Sequence, residues 1–322
     1  MKHRQTGVGL VELMISLVLG LLVSALALQM FLGSRSSLSS QEALSYLQES
    51  ARYVSYRLQP LMRNVGYAGC GNVENIEVAK GVSVEYDLTQ PLSAKKKKYK
   101  EVVYWELILA YADKESEVPL AGSMASKDSD LKFDTNDMEL FLNNNKDKVL
   151  EKTVLINDCK TADLFTLKDD WVSGNTFETV EGPSRAYGQS GSVISYVYPV
   201  KAWRLVLADQ EISGRATGNI ALFIDRTEPG PAFQREELVA GVGGLEVTFG
   251  VDTDNDGIVD QLGVMPDSIS TNNWGTLIRR IEIALTLQSE PGVVPGGANS
   301  GRLERTFNMT FSPRNLQLRG KS

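Results

Sequence analysis

The densest grouping of ligand-type side chains in the sequence is Asp252-Thr253-Asp254-Asn255-Asp256-Gly257-Ile258-Val259-Asp260. Acidic residues at loop positions 1, 3, 5 and 9, with glycine at 6, follow the first part of a calcium-binding EF-hand loop. In that pattern Asp252, Asp254, Asp256 and Asp260 offer carboxylate oxygens, Ile258 offers its carbonyl, and Gly257 permits the sharp turn. Four carboxylates so close together repel one another unless a cation lies among them, which points to Ca2+. Position 12, where an EF-hand carries a bidentate glutamate, is Gly263, so a helix-loop-helix EF-hand is not predicted. The same residues also read as an ion-free Asp/Asn/Gly turn between Val247-Thr248-Phe249 and Ile258-Val259.

Other chemistries are bounded by what is scarce. The chain has one histidine, His3, and two cysteines, Cys70 and Cys159. His3 lies in the first seven residues, which are expected to be removed as a leader and leave no imidazole; nucleophilic triads that need an imidazole base, imidazole-rich metal sites, four-cysteine zinc sites and iron–sulfur clusters are then excluded. Forty acidic residues permit paired-carboxylate hydrolysis on paper, but no pair is marked by its surroundings, and no enzyme is predicted. No GxGxxG or P-loop pattern is present. The net charge of −7 argues against nucleic acid as a partner of the whole chain. One local exception is Lys95-Lys96-Lys97-Lys98-Tyr99-Lys100. Such a run reads first as a solvated loop and second as a phosphate-contacting patch.

The elements that must carry these residues begin with a membrane helix. Val8 to Leu32 is apolar apart from Glu12, and as a helix it would span about 37 Å, enough to cross a hydrocarbon core of roughly 30 Å. The basic flank Met1 to Gly7 precedes it, so the positive-inside rule leaves the flank in the cytoplasm and the rest outside. A secretory signal would have a shorter apolar run. From Ser34 to Leu58, Leu38, Ala43, Leu44, Leu47, Ala51, Val54 and Leu58 recur mostly at three- and four-residue spacing and predict an amphipathic continuation that Pro60 ends. Gly7, followed by Val8-Gly9-Leu10-Val11-Glu12-Leu13-Met14-Ile15, resembles the class III signal of type IV prepilins and pseudopilins.

That resemblance implies cleavage between Gly7 and Val8 by a prepilin peptidase, methylation of Val8 and retention of the helix. Val8 departs from the usual phenylalanine at this place. The resemblance also implies that Glu12 pairs with the N-terminal amine of a neighbouring subunit, a buried charge meeting its counter-charge. Leu61-Met62-Arg63-Asn64-Val65-Gly66-Tyr67-Ala68-Gly69-Cys70-Gly71 and the Asn157-Asp158-Cys159 to Phe165 stretch resemble minor pilins of the PilW type, as do Glu237 to Val242 and the acidic loop. Two cysteines in an extracytoplasmic chain are most simply one disulfide, Cys70 to Cys159, closing a loop of about 90 residues.

The predicted fold is α+β: a pilin-like ladle, with a long N-terminal membrane and stalk helix packed on an antiparallel β-sheet head with insertions. Its expected parts are a leader (1–7), a transmembrane helix (8–32), a stalk helix (33–59) and a head (60–322). Strands are expected at Val102 to Ala112, Met138 to Leu142, Lys152 to Ile156, Ser192 to Val200 and Trp203 to Ala208. Alternating strands follow at Arg280 to Leu287 and Leu303 to Phe311, joined by a mobile loop over Ser289 to Gly301. By resemblance, the chain is a minor pilin inserted in the inner membrane with its head in the periplasm. It would then enter a type IV pilus that serves adhesion, twitching motility or DNA uptake. Its implied partners are other minor pilins, the major pilin, a tip adhesin, the prepilin peptidase and membrane lipid. The rival readings are a minor pseudopilin of a type II secretion system and an uncleaved, membrane-tethered calcium-binding surface protein.

Overall fold

The apolar run and the amphipathic run that follows it form one uninterrupted helix, α1 (Leu10–Asn64). The computed structural model describes residues 9–69, 76–82, 87–127, 129–144, 152–173, 176–188, 194–226, 235–269, 274–294 and 298–317. Every side chain from Leu10 to Leu32 is exposed, so among the described residues this part of α1 has no partner for its apolar surface. By length and composition it is the one helix among the described residues able to cross a membrane. Further along, Leu47, Ala51, Val54, Leu58, Met62 and Val65 are buried at three- and four-residue spacing. Leu38, expected on this stripe, is exposed. Nor does Pro60 end the helix: α1 runs on to Asn64, with Met62 fully buried two residues past the proline that removes an N–H. Burial of Met62 and Val65 outweighs the local cost of the proline.

Fifteen strands follow among the described residues. They are β1 (Ile76–Val78), β2 (Leu92–Tyr99), β3 (Val102–Ala112), β4 (Val118–Pro119), β5 (Leu131–Lys132), β6 (Thr153–Asn157), β7 (Ala162–Ser173) and β8 (Thr176–Thr179). Then come β9 (Tyr196–Ile212), β10 (Arg215–Arg226), β11 (Arg235–Ala240), β12 (Val242–Val251), β13 (Gln261–Val264), β14 (Ile278–Gln288) and β15 (Glu304–Phe311). Eleven of them join in one sheet whose main path is β11-β10-β9-β6-β7-β8-β5, with β3 and β4 also on β9, and β2 on β3. The remaining four form a second sheet in the order β13-β12-β14-β15. All pairings with a described register are antiparallel except β1 with β7, which is parallel and departs from the all-antiparallel expectation. The α+β organisation, a long apolar N-terminal helix followed by an essentially antiparallel head, is the one predicted.

Three further expectations change. The Met138 to Leu142 run belongs to a helix, α2 (Thr135–Asn144), in which the Met138 N–H donates to the Asp134 carbonyl at 3.0 Å. A short apolar run has no period of its own, and the polar Thr-Asn-Asp before it starts a helix better than a strand. The two strands expected around Ser192 to Ala208 are one, β9, which holds β6 by its first residues and β3 and β10 by the rest. The lysine run, expected as a loop, forms most of β2, in continuous register with β3.

The chain divides into two compact units, Met1–Glu49 with Gln288–Arg305, and Ser50–Leu287 with Thr306–Ser322. In the first unit, the loop expected to be mobile is closed by hydrogen bonds. Ser289 and Leu303 exchange backbone and hydroxyl contacts at 2.8 Å, Arg302 donates to the Ser289 carbonyl at 2.7 Å, and Gly292 and Val294 donate to Ser300 and Gly301. Gly301 has φ +70, and a Cβ there would meet the Val294 carbonyl oxygen at 2.6 Å, so glycine is required. In the second unit one core cluster gathers Leu131, Met138, Val154, Ile156, Phe165 and Phe177, and another gathers Ala68, Leu88, Leu155, Leu164, Tyr198 and Val200. Both lie on β6 and β7, which explains why these strands are apolar on both faces.

Candidate functional site

The acidic loop is the connection between β12 and β13. Short polar side chains and one glycine give it a conformation built from its own backbone. Asp254 accepts from the Asp256 N–H at 3.2 Å and Asp256 from the Ile258 N–H at 2.7 Å. Asp260 accepts from the Thr253 N–H at 2.7 Å and from its hydroxyl at 2.6 Å. The Thr253 hydroxyl and N–H hold the Asp260 carboxyl below the usual carboxylate range. Gly257 (φ +93) and Asn255 (φ +63) take the left-handed backbone that the turn requires. Carboxylate oxygens of Asp252, Asp254 and Asp260 converge within 4.8 Å of one another. Asp256 is not in this cluster, and Ile258 is exposed.

Asp252 differs from its neighbours because it is fully buried while Asp254 and Asp260 are exposed. Its Oδ2 accepts from the Gly257 N–H at 2.9 Å and from Arg279 Nε at 3.0 Å. Its Oδ1 is buried without a hydrogen-bond partner among the described residues. An orphaned carboxylate oxygen beside two further carboxylates fits a hard cation such as Ca2+. Asp252, Asp254 and Asp260 would hold it, and it would neutralise their mutual repulsion.

Arg279 is the functional-site residue that sequence reasoning missed. It lies on β14 where the register with β12 slips: Gly250 pairs with Arg280, but Val251 pairs with Ile278. Arg279 is therefore the extra residue of a bulge; its side chain points inward in phase with Ile281, Ile283, Leu285 and Leu287, and the residue that breaks the alternation is the buried Ile278. Only 2 % of the side chain is exposed. Its guanidinium binds Asp252, donates to Asn255 Oδ1 at 2.8 Å and reaches the Leu316 carbonyl at 3.3 Å. The loop thus already contains one internal cation.

Leu316 belongs to a short helical turn, Arg314–Gln317, which closes on the end of α1. Asn315 Nδ2 donates to the Arg63 and Asn64 carbonyls at 3.1 and 3.2 Å, satisfying acceptors that a helix C-terminus leaves open. Leu316 is fully buried, and a Cβ on Gly66 (φ +75) would come within 2.7 Å of it. Nearby, a cavity of about 710 Å³ is lined by Arg63, Tyr67, Tyr111, Asp113, Lys201 and Arg314, with Lys201 and Asp113 ion-paired at 2.5 Å. Further back on α1, Arg57 makes a two-pronged contact with Glu236 of β11 at 3.0 and 2.5 Å.

Glu12 lies in the first turn of α1, exposed, with its N–H donating to the Gly9 carbonyl at 3.0 Å. An acidic side chain there complements the positive end of the helix dipole. Gly7, Val8 and Cys70 fall outside the described residues. Cys159 follows β6 in a tight turn with φ +67. Buried Asn157 holds that turn, accepting from the Cys159 N–H and donating to the Ala68 carbonyl. Burial pushes the Asp158 carboxyl up, but the N–H groups of Thr161 and Lys160 outweigh it and leave it below the usual range.

No curated protein and no solved structure matches the chain. Residues 2–28 match the family described as the prokaryotic N-terminal methylation motif. Basic flank, glycine, Glu12 and exposed apolar helix thus stand together in a recognised arrangement, and the N-terminus is that of a type IV pilin-like or pseudopilin-like membrane-anchored protein.

Proposed function

We propose that this chain is a structural, non-enzymatic minor pilin of the PilW type. Cut between Gly7 and Val8 and methylated at Val8, it waits in the inner membrane with its head in the periplasm until it joins a type IV pilus. The observation that carries this is the methylation motif over residues 2–28, running into a helix whose apolar side chains from Leu10 to Leu32 are all exposed. Such a surface needs lipid on one occasion and neighbouring helices on another. Its partners are other minor pilins, the major pilin and a tip adhesin, besides the peptidase that processes it. The closest rival, a minor pseudopilin of a secretion system, shares the motif.

The test is intact mass and N-terminal sequence of the native protein from membranes and from sheared surface filaments, with thiols alkylated before reduction. The expected chain begins at Val8, carries a methyl group and takes up no alkyl label. Met1 retained would make it a tethered surface protein and end the filament reading. The Cys70–Cys159 disulfide is part of the proposal. It is supported by the absence of a free thiol at Cys159 and by the bond from Asn157 to Ala68, two residues before Cys70.

Ca2+ at Asp252, Asp254 and Asp260 is the second part. Adding calcium to chelator-treated protein is expected to raise the unfolding midpoint, by an amount that grows with the logarithm of free calcium above the dissociation constant. Magnesium should do less, since it demands a tighter octahedron than this loop's donors offer. A midpoint indifferent to calcium would leave the loop as a turn served by Arg279 alone.

A further inference from the structure

The lysine run has no part in the reading above, and its placement gives it a separate role. β2 pairs with β3 on one side and with no other strand among the described residues. It is therefore an open sheet edge, where every second residue turns its N–H and C=O away from β3. Lys95, Lys96, Lys97 and Lys98 are all exposed along it. Lys98 is near Glu101 at 3.6 Å, Lys100 is paired with Asp209, and Lys96 lies over the Trp105 ring at 5.6 Å. Lys95 and Lys97, one residue apart on the same face, make no ion pair with a described residue. Lys95 does stand opposite Glu106 in the β2–β3 register, but Glu106 is buried.

We infer that the β2 edge is a strand-addition site for an extended acidic segment of another protein. Such a segment completes the backbone ladder and sets its carboxylates beside Lys95 and Lys97. Charge selects this occupant. A second copy of β2 would bring lysines against lysines, the arrangement by which edge strands avoid self-pairing. A phosphate polymer or an anionic lipid surface has no strand to offer the open N–H and C=O groups, and meets Glu101 and Asp209 beside Lys98 and Lys100. An acidic strand alone satisfies both the backbone and the charge, and it does so on a chain whose net charge of −7 otherwise repels it.

The experiment uses the full chain in detergent micelles and a fluorescent peptide of alternating glutamate and valine, as long as β2. Saturable binding is expected, weakened about tenfold in the Lys95→Ser/Lys97→Ser double variant. Binding should be lost when alternate peptide N–H groups are methylated, since that blocks the ladder and leaves the charge. An unchanged circular dichroism spectrum of the variant establishes that its fold is intact. Equal binding of the methylated peptide would reduce the effect to charge attraction and overturn the proposal. Tighter binding of a DNA duplex or of phosphatidylglycerol vesicles, or no peptide binding at all, would overturn it as well.

Discussion

Replacing Arg279 with methionine is expected to destabilise the second unit by about 3 to 5 kcal/mol, because it leaves Asp252 buried without its counter-charge. The loss has two other parts, the bond to Asn255 Oδ1 and the bond to the Leu316 carbonyl, so the acidic loop and the C-terminal turn should both loosen. Denaturant unfolding of the purified chain measures the total, and hydrogen exchange at residues 252–260 and 314–317 measures its distribution. Calcium makes the experiment sharper. With the internal cation gone, the carboxylates of Asp252, Asp254 and Asp260 have more to gain from an external one. The variant should therefore respond to calcium more steeply than the parent. A loss under about 1 kcal/mol would mean that Arg279 is dispensable to the loop.

Changing Glu12 to alanine should act on assembly and spare the fold. Taking a carboxylate out of an apolar helix removes about 2.5 to 3.5 kcal/mol of insertion cost, so the variant is expected to reach the membrane at least as well as the parent. In the filament reading the same change leaves a neighbour's N-terminal amine unpaired in an apolar bundle, at a cost of about 3 to 5 kcal/mol. The ratio of this subunit in sheared filaments to that in membranes should fall by about a hundredfold or more. Glu12→Asp, which keeps the charge on a shorter arm, should recover part of it. An unchanged ratio in both variants would remove Glu12 from the assembly step and leave its exposed place in the first turn of α1 as a dipole effect alone.

Much of the frame was legible because it depends on periodicity and composition. The apolar stretch, the stripe from Leu47 to Leu58, and the alternation of Ile281, Ile283, Leu285 and Leu287 on β14 appear as read. Three things were hidden, for different physical reasons. Arg279 lies in phase with Ile281 and Ile283, but its pairing with Asp252, Asn255 and the Leu316 carbonyl is set only by the fold. Lys95 to Lys98 have poor intrinsic strand preference, and the apolar partner β3 pulls them into the sheet against it. Pro60 and the Met138 run were judged by local rules that tertiary burial and polar helix-start residues overrode. The acidic loop was visible as chemistry, yet the one residue that already neutralises part of it comes from a strand 27 residues away.

In the filament reading, the closure of the Arg314–Gln317 turn on the end of α1 has a mechanical meaning. A subunit held in a fibre by its helix feels any pull on the head as tension along that helix. At its last turn the tension does not pass through the covalent chain at Gly66 alone. The two carbonyls bound by Asn315 run close to the helix axis, so those bonds and the Leu316 plug at Gly66 share the load with the backbone. Arg279 carries it onward from Leu316 into β14, in the middle of a sheet where strands resist by shearing many bonds together. The C-terminal turn is thus a second anchor point for traction, arranged in parallel with the first.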